Sequence, residues 1–201
     1  MAKNNLKKSE LRRRIVADRL EMEYERRNKM DREILRILTG LPEYISSDII
    51  LTYVSYNGEA DTYMFIERAL NDGKRVACPL CSFEDDIPSL DFFFINSVND
   101  LIKGYKGIPE PNKEALFKVS DEDILKAFII VPMVGYDRSG NRLGYGMGFY
   151  DRFLSSTTHG STAAIAYSFQ ECEVIPVDEH DVRPDMIITE KGIYKMIHTG
   201  R

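Results

Sequence analysis

The sequence predicts an α/β domain built on a mostly parallel sheet that is covered on both faces. Three observations carry this. Strand-like and helix-like stretches alternate along the chain. The run Ala127–Val131 is short, aliphatic and free of polar alternation, as a strand buried on both faces should be. With 201 residues, 43% hydrophobic and 29% charged, the chain has the size and composition of one soluble domain with a substantial core.

Residues 3–38 carry helical periodicity and read as two helices. The first starts basic, with Lys3, Lys7, Lys8, Arg12, Arg13, Arg14 and Arg19, and sets Leu11, Ile15 and Val16 on one side. Such a basic face is usually just solvated. Lys8 and Arg12, one turn apart, also suit a polyphosphate. The second helix, with Ile34, Leu35 and Leu38, stops at Thr39-Gly40 with Pro42 beyond. Asp48 to Ser55 reads as a strand, broken by Asn57-Gly58. A helix with Asp61 as N-cap then runs to about Asn71. Glu59 stands at the carboxyl end of that strand, the edge where open α/β sheets bind ligands, although position alone makes it a loop acid in water. A turn at Gly73 leads into a short strand reaching Pro79, and Leu90–Ile95 is another strand. Lys106 to Pro111 is a two-proline loop holding Glu110, and Asp121–Lys126 is a short helix feeding the central strand.

After Ala127–Val131 comes a turn, Asp137-Arg138-Ser139-Gly140, then Gly144, Gly146 and Gly148 alternating with larger residues. A helix follows with Phe149, Phe153 and Leu154 on its apolar face. Thr162 to Ser168 is a strand, residues 169–184 are mostly loop, and Asp185–Thr189 is the final strand. His180 is expected to be structural, because neighbours in extended chain point opposite ways and His180-Asp181 makes a poor acid-base pair. His198 falls in an unassigned tail.

Strand, glycine-rich loop and helix together make an anion site: glycines let backbone approach phosphate, and the first helical amides point at the charge. Arg142 and Arg152 bracket the loop, and Asp151 can hold magnesium. Glycines alone would be a plain connection, and the spacing fits neither the Walker lysine motif nor the dinucleotide fingerprint. An arginine, three glycines, an aromatic pair and an acid in so few positions say more.

The run Arg142-Leu143-Gly144-Tyr145-Gly146-Met147-Gly148-Phe149-Tyr150-Asp151 resembles the signature of 5-formyltetrahydrofolate cyclo-ligases, close to R-L-G-x-G-x-G-Y-Y-D after a P-x-x-x-F-D-x-x-G turn. Tyr136 stands at that phenylalanine and Phe149 at the first tyrosine, each keeping a ring. Further matches extend the resemblance from about Lys8 to Ile193: Lys8-Ser9-Glu10-Leu11-Arg12 for K-x-x-L-R, Glu59-Ala60-Asp61-Thr62 for E-x-D/N-T, Gly73 to Pro79 for G-K-x-V-x-x-P, Gly107 to Pro111 for G-I-x-E-P, and Pro176 to Asp181 with Asp185 to Glu190 at the end. Met147 replaces the family's usual glycine or lysine, and Tyr145 stands where some relatives carry arginine.

The resemblance implies a single domain of three α/β/α layers over the whole chain, similar to the sugar-phosphate isomerase and CoA-transferase superfamily. It implies ATP-dependent conversion of 5-formyltetrahydrofolate to 5,10-methenyltetrahydrofolate through a phosphorylated formyl group. It assigns ATP binding to Lys8, Ser9, Glu10, Leu11 and Arg12 and to the loop from Arg142 to Tyr150. It assigns substrate binding to Val54, Glu59, Glu110 and Tyr145 to Phe149, and Mg2+ to Asp151 and Asp185. Arg142, Lys8 and Tyr150 are the expected catalytic residues.

Other classes fare worse. A net charge of -5 argues against a general nucleic-acid binder. No apolar run approaches a membrane span, and the basic start is unlike a secretory signal. Three cysteines suit a reducing cytoplasm. Cys78 and Cys81 form C-x-x-C, but with no second pair and no nearby histidine, and after a strand rather than at a helix start, they read as incidental. A monomer or weak homodimer is expected. A pure binding module would not need two magnesium ligands, and a sugar-phosphate isomerase would not need ATP.

Overall fold

The computed structural model describes residues 2–196, with side chains described from Lys8 onward; Lys3 and Lys7 as charges, and His198, lie outside the described residues. Helix α1 spans Ala2–Leu20 and α2 spans Tyr24–Thr39. On α2, Met30, Ile34 and Leu38 recur every four residues and are buried, which is why this polar helix docks. Gly40 ends it, its N–H bonding the Ile37 carbonyl. Pro42, read above only as a stop, also starts a short helix α3, Pro42–Ser46, where its missing N–H costs nothing.

Strand β1, Ile49–Thr52, is shorter than expected: the chain leaves the sheet at Tyr53, which stays buried and donates its hydroxyl to the Ala60 carbonyl at 3.0 Å. Helix α4 is Tyr63–Asn71. Asp61 does not occupy the cap position, which falls to Thr62, but its Oδ1 accepts the Tyr63 N–H at 2.8 Å. Strands β2, Arg75–Glu84, and β3, Ile87–Ile95, form a hairpin, turned by Asp85 and Asp86 at positive φ of 48° and 63°. Cys78 and Cys81 therefore lie inside β2, not after it. Short strands β4, Leu101–Lys103, and β5, Pro109–Pro111, pair with each other.

Helix α5, Asp121–Lys126, is capped by Ser120 and precedes β6, Phe128–Pro132. Then come the small hairpin β7, Gly135–Tyr136, and β8, Arg142–Leu143; helix α6, Phe149–Ser156; and β9, Thr162–Ile165. Strands β10, Met186–Thr189, and β11, Gly192–Lys195, close the chain; β11 was not anticipated. The main sheet has seven strands in the order β11-β10-β9-β6-β1-β2-β3, parallel except for its two antiparallel edges. Phe128 and Ile130 pack with α2 and α4 on one face, Ile129 and Val131 with α5 and α6 on the other. This alternation makes three layers and accounts for the lack of polar residues in β6. Among the described residues, no helix is long and apolar enough to cross a membrane.

One buried acid links the layers. Asp31 of α2 accepts the Tyr167 hydroxyl at 2.8 Å and the Asp61 N–H at 3.0 Å. Burial pushes its pKa up to about 6, against the two hydrogen bonds. A folded pKa above the unfolded one contributes stability that is fully present below the unfolded value and lost as pH rises through about 6. Wild type should therefore gain roughly 1–1.5 kcal/mol relative to Asp31→Asn between about pH 7.5 and about pH 5. Urea unfolding at both pH values checks this; an equal pH response in the two proteins would refute it.

Candidate active site

The parallel strands β1 and β6 end side by side, and the loops leaving them surround a cavity of about 460 Å³. This is the carboxyl edge at which open sheets bind ligands. Helix α1 contributes Lys8 and Arg12, the loop after β1 contributes Val54 and Glu59, and the stretch from Arg142 to Asp151 forms the floor.

The glycine loop is positioned from both ends. Upstream, Asp137 ties the β7–β8 turn: Oδ1 accepts the N–H groups of Ser139 and Asn141, and Oδ2 that of Ile175. Downstream, Gly148 at φ 73° lets the chain enter α6. Gly146 at φ 97° lies against Arg12, where a Cβ would come within 3.2 Å of the guanidinium carbon. Arg12 Nε donates to the Gly144 carbonyl at 2.7 Å.

One end of the cavity is cationic. Lys8 Nζ donates to Asp178 and Asp181, 2.7 Å from each. Burial opposes the lysine's charge, but these two carboxylates outweigh it and hold its pKa above the ordinary value. Arg142 Nη2 donates to Asp151 Oδ1, which also accepts the Val182 N–H at 3.1 Å. The Arg142 Nε is buried without a partner among the described residues.

The other end is aromatic and holds one acid. Glu59 is buried; Oε1 accepts the Tyr145 hydroxyl at 2.7 Å and Oε2 the Tyr56 N–H at 2.9 Å. Burial pushes its pKa up, while Tyr145, the charge of Arg19 and the Tyr56 N–H work the other way. The rings of Tyr105 and Phe149 face each other edge-on, 6.3 Å apart, and both line the cavity. Tyr150 has a buried hydroxyl with no partner among the described residues, and burial pushes its pKa well up.

The structure does not bring all of the expected residues to this cavity. Ser9, Glu10 and Leu11 do not line the cavity. At 100° per residue they turn away from the face of Lys8 and Arg12: Glu10 and Leu11 border a separate groove, and Leu11 packs near Ile15 and Leu143. Glu110 does not line it either. Its carboxylate is buried and spent on backbone, accepting the N–H groups of Cys81 at 3.2 Å and Tyr105 at 3.1 Å. Asp185 lies at the start of β10, at the opposite, amino edge of the sheet, where it accepts the N–H and hydroxyl of Thr162. The acids that reach the cationic end are Asp151, Asp178 and Asp181. Asp178 and Asp181 went unnoticed as ligand acids because irregular loop has no periodicity to mark them. Arg19, hidden in the basic run of α1, touches Tyr145. Arg152 is exposed, and His180 points to solvent beside Glu179.

The family model for the 5-formyltetrahydrofolate cyclo-ligase family matches residues 4–190. The chain belongs to this family. Among cyclo-ligases, the 5-formyltetrahydrofolate cyclo-ligase of Escherichia coli K12 is 28% identical over 175 residues, covering 85% of this chain and 93% of the relative. The mouse cyclo-ligase is 29% identical over 160 residues, covering 74% and 76%. The NMR structure of Aquifex aeolicus 5,10-methenyltetrahydrofolate synthetase is 32% identical, with a TM-score of 0.80, covering 96% of this chain and 94% of that one. The Mycoplasma pneumoniae synthetase shares the fold at TM-score 0.71, with coverage of 91% and 98% and 23% identity.

Proposed function

We propose that the protein closes the ring of 5-formyltetrahydrofolate to give 5,10-methenyltetrahydrofolate, with ATP converted to ADP and phosphate. The observation that carries this is a single cavity with a cationic end and an aromatic end, joined by one glycine loop. Lys8, Arg12 and Arg142 are charged for phosphates, and the amides around Gly144, Gly146 and Gly148 are donors for them. Glu59 suits the amine and amide donors of a pterin, and Phe149 and Tyr105 offer ring faces and edges to it. The formyl oxygen attacks the γ-phosphorus and ADP leaves. Nitrogen 10 then adds to the activated carbon and loses its proton, and phosphate departs with the former formyl oxygen. Arg142 and Lys8 neutralise the charge on the migrating phosphoryl, and the two ends of the cavity hold the reactants in line. Tyr150 lines the cavity, its buried hydroxyl has no partner among the described residues, and a small shift of its ring would let it donate to the formyl oxygen.

Magnesium, bound with ATP, would spread the phosphate charge. It generally takes one or two carboxylates plus phosphate oxygens and waters. Asp151 fits, since both its side-chain hydrogen bonds fall on Oδ1, and Asp178 and Asp181 stand at the same end.

The test is an absorbance assay. Protein, magnesium, ATP and 5-formyltetrahydrofolate should give the near-ultraviolet absorbance of the methenyl product, and omission of ATP should abolish it. A flat trace from folded protein that binds ATP would overturn the reading.

A further inference from the structure

We infer that Arg19 is a positioning residue for the folate end of the cavity, acting through the Tyr145 hydroxyl on the Glu59 carboxylate. This rests on the proposed binding of folate at Glu59. Arg19 sits in the last turn of α1 and is fully buried. A guanidinium is costly to bury unless paired, yet among the described residues no carboxylate forms an ion pair with it. Its Nη2 donates instead to the Asn57 carbonyl at 3.0 Å and the Tyr145 hydroxyl oxygen at 2.7 Å, and among the described residues its Nε and Nη1 have no hydrogen-bond partner.

The direction of the chain follows from proton counting. Tyr145 has one hydroxyl proton, and an ionised Glu59 can only accept, so that proton goes to Glu59 Oε1 at 2.7 Å. The tyrosine oxygen must then accept from Arg19, which can only donate. Two buried opposite charges are thus joined by one phenol. The arrangement also gives α1 two grips on the glycine loop: Arg12 on the Gly144 carbonyl and Arg19 on Tyr145.

The groups facing Glu59 are the Arg19 guanidinium from α1, the Tyr145 phenol from the glycine loop, the Tyr53 phenol after β1 and the Tyr150 phenol of α6. The phenols are neutral, so Arg19 supplies the positive charge. Without it a buried carboxylate takes up a proton at higher pH. A protonated Glu59 no longer accepts two donors from a pterin, so folate affinity should fail sooner on the acid side.

The experiment measures KM for 5-formyltetrahydrofolate and for ATP across pH in wild type, Arg19→Met, Arg19→Lys and Tyr145→Phe. Arg19→Met and Tyr145→Phe should each raise the folate KM by about tenfold near neutral pH, with a far smaller change for ATP. Arg19→Met should also move the acid limb of the folate profile to higher pH, and Arg19→Lys should restore its position. Tyr145→Phe keeps the ring and leaves Arg19 in place, so it tests the relay even if Arg19→Met does not fold. An acid limb at the wild-type pH in Arg19→Met, or an unchanged folate KM in Tyr145→Phe, would overturn the inference. Wild type that binds ATP but no folate would instead remove the functional reading and the inference with it.

Discussion

Arg142→Ala should lower kcat by on the order of 10³-fold, the scale of losing an arginine that stabilises a migrating phosphoryl. Arg142 opens β8, and its side chain is only 4% exposed. One Nη holds Asp151, and Nε has no partner among the described residues. The effect should lie in kcat more than in KM, because the charge to be neutralised develops in the transition state. Stability should suffer less than for a fully buried pair. Asp151 keeps its bond to Val182, and its side chain is 23% exposed, so water can take the lost partner's place. Single-turnover kinetics beside thermal unfolding separate these effects. Asp151→Ala should also reduce turnover, and the double variant should lose less than the sum, because the residues touch. A folded Arg142→Ala protein with wild-type kcat would take this residue out of the mechanism.

Lys8→Met should weaken productive ATP binding by roughly 10²-fold while leaving folate affinity comparatively intact, the scale of a charge-assisted contact to phosphate. Methionine keeps most of the stem and removes only the charge. The lysine sits between Asp178 and Asp181 and is nearly buried, with its side chain 6% exposed. Its loss leaves two acids facing the phosphate end with nothing between them, so ATP should meet repulsion as well as a missing contact. That repulsion is screened by salt, and the defect should shrink as ionic strength rises. ATP titrations at low and high salt check both points. An unchanged KM for ATP at low salt would refute the assignment.

Much of the protein was legible in the chain. The β6 run, the α2 pattern of Ile34, Leu35 and Leu38, and the short helix α5 are local patterns whose physics works within a few residues. The glycine loop was legible because its backbone geometry restricts which residues can stand there: Gly146 and Gly148 take positive φ. The hairpin extending β2 was less so, since two aspartates turn it where asparagine-glycine is the stronger signal.

The chain by itself therefore determined the layered α/β architecture and the family signature, and it pointed to Lys8, Arg12, Arg142 and Asp151, which all line the cavity. It did not determine which acids share the cavity. Asp185 and Asp181 are four positions apart, yet one stands just before β10 at the amino edge while the other reaches Lys8 at the carboxyl edge. Ser9, Glu10 and Leu11 sit between two cavity residues and still miss the cavity, because a helix turns them away. Glu110 was drawn off by two backbone N–H groups that only the packed loop brings to it. Arg19, Tyr145 and Glu59 lie far apart in the chain and meet through one hydroxyl. Contacts of that kind leave no period or spacing in a sequence; they exist only once the sheet's polarity and the loop's path are set.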